Sequence, residues 1–500
     1  MTEKYDQLKS LIHEISDIYN AMALLGWDQQ VNMPHGGAED RGYALSTLAR
    51  IGHQKVMSPE IGQLLQEATA ELSQTDPDSD EVRMVKVAWR EYNKRVNVPS
   101  RWVVENAQAT TIAQNVWEEA RSKSDFGMFR PHLEKIVALK REYASFFQPY
   151  EHVYDPLLDD FEPGMKTAEV QAIFNVVRPE QVALLKAIAQ KPMIDDQFLH
   201  VPYNEHAQWD FGVDAITHFG YDWNRGRQDK SVHPFTQGFG RGDVRITTRF
   251  DPDRVSSMLF STLHESGHAM YEQGVGSSLQ RTPLSSGASM ALHESQSRMW
   301  ENLVGRSLPF WKFFYPRLKA KFPDQLANVD LMSFYKAINK VEPSLVRVEA
   351  DEATYNLHIM LRLELEIALM EGSLEVKDLP EAWNARMEAY LGITPPRDAV
   401  GVLQDVHWSG GMIGYFPTYA LGNLVSAQLW ETMLKDIPDI TDQFERGEFR
   451  ILLKWMGEKI HLHGAKFEPE ELILKVTGSK IDPNPYLRYL KRKYGEIYSL

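Results

Sequence analysis

Cysteine is absent from the chain. That excludes disulfides and thiolate-held metals, so any bound ion must rely on His, Asp and Glu. The absence also suits a reducing compartment. The opening MTEKYDQLKS lacks the pattern of a signal peptide, so a cytoplasmic location is expected. Near the N-terminus the longest apolar run, Ala21 to Leu25, falls far short of the roughly 20 residues a membrane helix needs. Positive charge is outweighed: the formal net charge of −15 argues against nucleic-acid or anionic-membrane binding. Linkers, low-complexity tracts and repeats of roughly 20–50 residues are lacking as well. One unit over residues 1–500 is expected, with room for two lobes around a cleft.

Of the 500 residues, 43% are hydrophobic, ample for a large core. Apolar side chains recur at helical spacing, first in Tyr5 to Ala23 and then around 83–95, 103–121, 130–147, 167–190, 312–321, 330–341, 352–371, 423–435 and 441–462. Strand signals are few. The best is Asp243 to Phe250, where Val244, Ile246, Thr248 and Phe250 alternate with Arg245, Thr247 and Arg249. The fold class is mainly α with a small β-sheet.

The chemistry is carried by His264-Glu265-Ser266-Gly267-His268. Asp251 and Pro252 predict a helix start and Gly274 a stop. On that helix His264 and His268, four residues apart, share a face and can share one ion, with Glu265 beside them. Such a pattern arises by chance in about one sequence of this size in 25, so a third ligand is needed to decide. Tyr271 and Gly274 stand where an extended motif would carry Gly and a third His, which removes the three-histidine solution. A carboxylate from a following helix is the usual alternative. Ser285 to Val304 predicts one, with Glu294 facing inward and Glu272 and Glu301 as rivals.

Several motifs in order resemble one known family. They are Gly26 to Pro34, His233-Pro-Phe235, Asp243-Val-Arg-Ile-Thr247, the His264–His268 motif, His293-Glu-Ser-Gln296, Val346-Arg-Val-Glu-Ala-Asp351 and Gly401 to Trp408, closing with Thr477 to Tyr494. Together they resemble the carboxypeptidase Taq (M32) metallopeptidases along nearly the whole chain. The resemblance implies a large helical zincin-type fold with a long substrate groove, similar to neurolysin and angiotensin-converting enzyme. It implies metal ligands His264, His268 and Glu294, with Glu265 as catalytic base. It implies release of single C-terminal amino acids from peptides with broad specificity, poor action on C-terminal proline, and a homodimer.

Zinc is the expected ion, with cobalt and manganese as substitutes. Two neutral imidazoles and one carboxylate would leave it a net positive charge and an open position. A water there has its pKa lowered from about 15.7 toward about 7. Glu265 can take that water's proton as the water attacks the peptide carbonyl, then give it to the leaving amine. An oxyanion donor is expected among His407, Tyr415 and Tyr419. For the substrate carboxylate, Arg347, Arg245 and Arg249 are the candidates, because a guanidinium fork matches two oxygens. Arg347 is also placed for a salt bridge with the acidic residues that follow it. The strand of Arg245 and Arg249 is a candidate edge strand for substrate pairing. His233 is a candidate to line the site or cap a loop. His293 is expected behind the ligands, and His461 and His463 are poor co-ligands because they are two residues apart. The competing activities are a zinc oligoendopeptidase or a dipeptidyl carboxypeptidase on the same scaffold.

Overall fold

The computed structural model describes residues 3–500. Its helices begin and end where local chemistry dictates. Asp80–Asn97 starts at Ser79, whose hydroxyl accepts the Val82 N–H; Asp80 and Glu81 occupy its first turn and Lys94 and Arg95 its last. Glu352–Glu371 begins at Asp351, whose carboxylate accepts the Ala353 and Thr354 N–H groups, and ends at Gly372 with φ 84°. That helix matches its predicted span. The first helix runs further than predicted, Glu3–Val31, because Gly26 does not interrupt it.

Three further predicted helices differ in a cap or a break. Asp251 does not start the histidine helix; it forms a turn, accepting from the Asp253 N–H, and the helix spans Val255–Gly274. The glutamate helix begins at Met290 rather than Ser285, because Ser289 is the true cap and accepts the Leu292 N–H. It ends at Arg298 and passes into a π-helical turn over Met299–Val304. The stretch 441–462 is two helices, Ile440–Glu445 and Arg450–Lys459, separated at Gly447 with φ 84°. His461–His463 is a short 3₁₀ turn.

The sheet has three short strands, β1 (Gln228–Lys230), β2 (Thr236–Gly238) and β3 (Val244–Thr248), in the order β1-β3-β2. β3 pairs parallel with β1 and antiparallel with β2, Ile246 lying opposite both Gln228 and Thr236. Paired on both sides, β3 is not the free edge its sequence suggested. Its buried apolar residues, Val244 and Ile246, join the main core.

That core is continuous from Ala113 to Tyr498 and encloses the histidine and glutamate helices. A smaller core gathers Tyr5, Leu8, Ile61, Leu65, Met84 and Val85 from the N-terminal helices against Val275, Leu279 and Leu284. The N-terminal helices thus dock onto the segment that leaves the histidine helix. Among the described residues no helix is long and apolar enough to cross a membrane.

Candidate active site

The histidine and glutamate helices meet at a glycine. A Cβ on Gly267 would lie 2.6 Å from both the Gln296 carbonyl oxygen and Ser297 Cα, so only a residue without one lets the two backbones come this close. A third helix, Pro417–Asp436, presses from another side. A Cβ on its Gly422 would lie 2.7 Å from Glu294 Cγ. At the start of the glutamate helix the buried Glu162 carboxylate accepts the Ala291 N–H at 2.5 Å. A carboxyl oxygen at a helix N-terminus satisfies an otherwise orphaned donor. Glu294 is thereby fixed along the helix and across it.

These contacts bring His264, His268 and Glu294 together, with one ligand atom of each within 4.8 Å of the others. His264 Nε2 is 3.6 Å and His268 Nε2 3.3 Å from Glu294 Oε2. Zinc bonds of about 2.0–2.1 Å at tetrahedral angles would separate ligand atoms by about 3.3–3.4 Å, so the donor set fits such an ion.

The remaining atoms of these side chains are held by hydrogen bonds. His264 Nδ1 lies 2.9 Å from Glu301 Oε2. His268 Nδ1 lies 2.6 Å from His293 Nδ1, and His293 Nε2 lies 2.7 Å from Glu272 Oε1. With protons on His264 Nδ1, His268 Nδ1 and His293 Nε2, every one of these contacts is satisfied, and both Nε2 lone pairs face Glu294. Glu294 Oε1 accepts from Arg298 Nε at 2.7 Å, and Oε2 from Ser297 Oγ at 3.0 Å. Arg298 also donates to Glu301 at 3.1 Å. Of the two rivals of Glu294, Glu301 therefore binds His264 from behind and Glu272 reaches His268 only through His293, and both lie outside the cluster.

Buried charges set the titration. Burial would lower the His264 pKa, but the Glu294 charge and the Glu301 hydrogen bond raise it to about 8. In His268 burial prevails and lowers it to about 3. The first proton therefore goes to His264 and His268 stays neutral. Burial would raise Glu294, but Arg298 and His264 hold it well below the usual carboxylate range. Glu265 goes the other way, raised by burial against the His264 charge and the Thr236 hydrogen bond. Thr236 Oγ1 donates to Glu265 Oε2 at 2.7 Å, so β2 orients this side chain.

The substrate candidates separate into two groups. Arg245 pairs with Asp243 at 2.9 and 2.8 Å and lies over the Trp27 ring at 4.4 Å. Arg249 and His233 are exposed, and the His233 carbonyl accepts the Ser231 hydroxyl. These three do not join the buried cluster. Arg347, His407, Tyr415 and Tyr419 come together. The partner of Arg347 is Asp405, at 3.0 and 2.8 Å, rather than the acidic residues that follow it in sequence. Its Nη1 donates to the Tyr355 hydroxyl at 2.9 Å, and Arg298 lies 4.5 Å from that tyrosine's ring centroid. The His407 ring stacks 5.5 Å from Tyr415 and lies 3.4 Å from the Tyr419 hydroxyl. Burial lowers the His407 pKa to about 4 and raises Tyr415 and Tyr419, leaving all three neutral near pH 7. Arg298 links the two groups: it donates to Glu294 and lies over the Tyr355 ring, whose hydroxyl accepts from Arg347, which puts this group beside the three-residue cluster.

Thr236, Arg298, Tyr355 and Asp405 escaped the sequence reading. Arg298 had a legible signal, four residues after Glu294 on one helix. Asp405 lies in the Gly401 to Trp408 motif, but nothing local ties it to Arg347, 58 residues away.

The chain matches the family described as Carboxypeptidase Taq (M32) metallopeptidase over residues 7–494. It is 42% identical to thermostable carboxypeptidase 1 of Thermus thermophilus, covering 99% of each chain. It is 38% identical to carboxypeptidase 1 of Bacillus subtilis, covering 98% of each. The crystal structure of M32 carboxypeptidase from Deinococcus radiodurans superimposes with a TM-score of 0.97 at 40% identity over 100% of both chains. Helical fold, His-His-Glu cluster and whole-length similarity agree: the chain belongs to the M32 metallopeptidases and is a metal-dependent carboxypeptidase.

Proposed function

We propose that His264, His268 and Glu294 hold one divalent ion, zinc, with cobalt or manganese as substitutes, and that Glu265 is the catalytic base of a carboxypeptidase releasing single C-terminal residues. The observation that carries the reading is the convergence of two imidazole Nε2 atoms and one carboxylate oxygen, with Glu265 buried next to them. An ion bound there supplies Lewis acidity, making a water acidic and polarising the scissile carbonyl.

The chain's residues do the rest. Glu265, oriented by Thr236, accepts a proton from the attacking water and passes it to the leaving amine nitrogen. Its burial raises its basicity above that of an exposed carboxylate, which suits that task. His407, Tyr415 and Tyr419, all neutral, are candidate donors to the developing oxyanion, an interaction worth roughly 3–4 kcal/mol. Arg347 is the candidate for the substrate carboxylate, its fork preset by Asp405 and Tyr355. The family resemblance supports broad specificity with poor action on proline and a homodimer; the lack of linkers and repeats supports a single unit over 1–500, and the cysteine-free composition a cytoplasmic location.

Mass spectrometry of a digested peptide tests the activity: an unblocked peptide should lose one residue at a time, and C-terminal amidation should stop the ladder. Undiminished cleavage of the amidated peptide would refute the carboxylate requirement. Glu265→Gln should retain the metal and lose turnover; retained activity would remove Glu265 as the base.

A further inference from the structure

Glu366 is fully buried, and the chemistry above makes no use of it. Its carboxylate accepts three hydrogen bonds. Trp408 Nε1 donates to Oε1 at 2.7 Å, and the Tyr154 hydroxyl and the Gly414 N–H donate to Oε2 at 2.6 and 3.0 Å. Trp408 follows His407 in the chain, and Gly414 precedes Tyr415.

One turn earlier on the same helix, Arg362 binds the other side of His407. It donates to Asp405 Oδ2 from Nε at 2.7 Å, and its Nη2 reaches Gln404 Oε1 at 2.8 Å. The helix Glu352–Glu371 therefore grips residues 404–408 on both sides of His407, and Glu366 extends the grip to Gly414. The loop has no slack there. Gly414 has φ 100°, and a Cβ on it would lie 2.4 Å from the Leu157 carbonyl oxygen. Tyr154, the third donor, begins that same turn.

A carboxylate is the side chain this cage requires. The Trp408 indole and the Gly414 amide can only donate, and a carboxylate only accepts. A Gln amide would turn its NH₂ toward one of them. A Leu would leave both unpaired in the core. Burial raises the Glu366 pKa to about 7, and these hydrogen bonds hold it from rising further.

We propose that Glu366 is a positioning residue that sets the placement of His407 and Tyr415 beside the metal cluster. The inference rests on the reading of those two side chains as substrate-facing donors. Kinetics on an unblocked peptide test it, using the metal-loaded full chain. Glu366→Gln should lower kcat about 10- to 100-fold, with KM within about threefold and metal content unchanged. Tyr154→Phe, which keeps the charge and both N–H donors, should lower kcat severalfold in the same direction. It carries the test alone if Glu366→Gln does not fold.

Combined with Tyr415→Phe or His407→Ala, the Glu366→Gln loss should be much smaller than in the parent, because the displaced group is already missing. Fully multiplicative losses would overturn the positioning role and leave the reading of His407 and Tyr415 intact. Normal kcat in both Glu366→Gln and Tyr154→Phe would do the same. Normal kcat in Tyr415→Phe and His407→Ala would overturn that reading and the positioning role with it.

Discussion

Gly422→Ala should damage metal binding although Gly422 is not itself a ligand. The added Cβ would lie 2.7 Å from Glu294 Cγ, 2.8 Å from Glu294 Cβ and 3.2 Å from the Ala291 carbonyl oxygen. Carbon atoms need about 3.5 Å, so one side must move by roughly 0.8 Å. The atoms struck are near the root of Glu294, where no distal rotation can absorb the displacement. Metal ligands tolerate errors of only about 0.2 Å. Overpacking of this kind costs about 1–3 kcal/mol, and a tenfold change in affinity corresponds to about 1.4 kcal/mol. Metal affinity should therefore fall about 10- to 100-fold, with kcat retained to the extent that metal is restored by excess. Chelator competition measures the affinity, and thermal unfolding of the metal-free protein isolates the packing cost. Gly26→Ala is the control: it lies mid-helix with nothing within 4 Å of the added Cβ, and should be neutral or stabilising by up to about 1 kcal/mol. A Gly422→Ala protein with parental metal affinity would refute the argument that the Pro417–Asp436 helix fixes Glu294.

Other outcomes follow from the same contacts. Thr236→Val removes the hydroxyl that holds Glu265, so kcat should drop about tenfold while bound metal, measured by elemental analysis, stays constant. Glu301→Gln keeps an acceptor for His264 but removes the charge behind it; chelator competition should show about 10-fold weaker metal binding. Chelation should abolish peptide cleavage and lower the melting temperature; restoring an ion at 1,000 times its dissociation constant returns about 4 kcal/mol.

Glu162 links stability to pH. Burial, opposed by the Ala291 and Ser289 hydrogen bonds, raises its folded pKa from 4.5 to about 8. The folded state thus keeps a proton that the unfolded state has lost, and Glu162 makes stability fall as pH rises from about 4.5 to about 8. The cost is a few kcal/mol, about 1.4 kcal/mol per pH unit across that window. In Glu162→Gln this component of the slope should vanish in urea titrations of the metal-free protein at pH 5.5 and 8. An unchanged slope would show that Glu162 does not supply it.

Much of the site was legible in one dimension because its signals are local. His264 and His268 are four residues apart, a spacing that any α-helix converts into a shared face. The missing third histidine turned attention to a carboxylate, and Glu294 sits on the next strongly patterned helix. Helix boundaries were less legible. The carboxylate of Asp251 serves a turn instead of a cap, and Ser289 outcompetes Ser285 once Glu162 arrives to hold the Ala291 N–H.

Arg245 illustrates what sequence alone could not resolve. Its strand looked like an edge, yet β1 and β2 pair with both sides of it, and Trp27 and Asp243 occupy its guanidinium. The sequence by itself set the chemistry available: no thiols, two histidines on one helix face with Glu265 beside them, and a carboxylate on a following helix. Tertiary structure alone decided which carboxylates support the imidazoles and which arginine is buried beside the site. It also decided that Gly267 and Gly422 set how closely three helices approach. The reason is range. Helical periodicity acts over four residues, whereas the Arg347–Asp405 pair spans 58 and the Trp408–Glu366 bond 42, distances closed only when the core assembles.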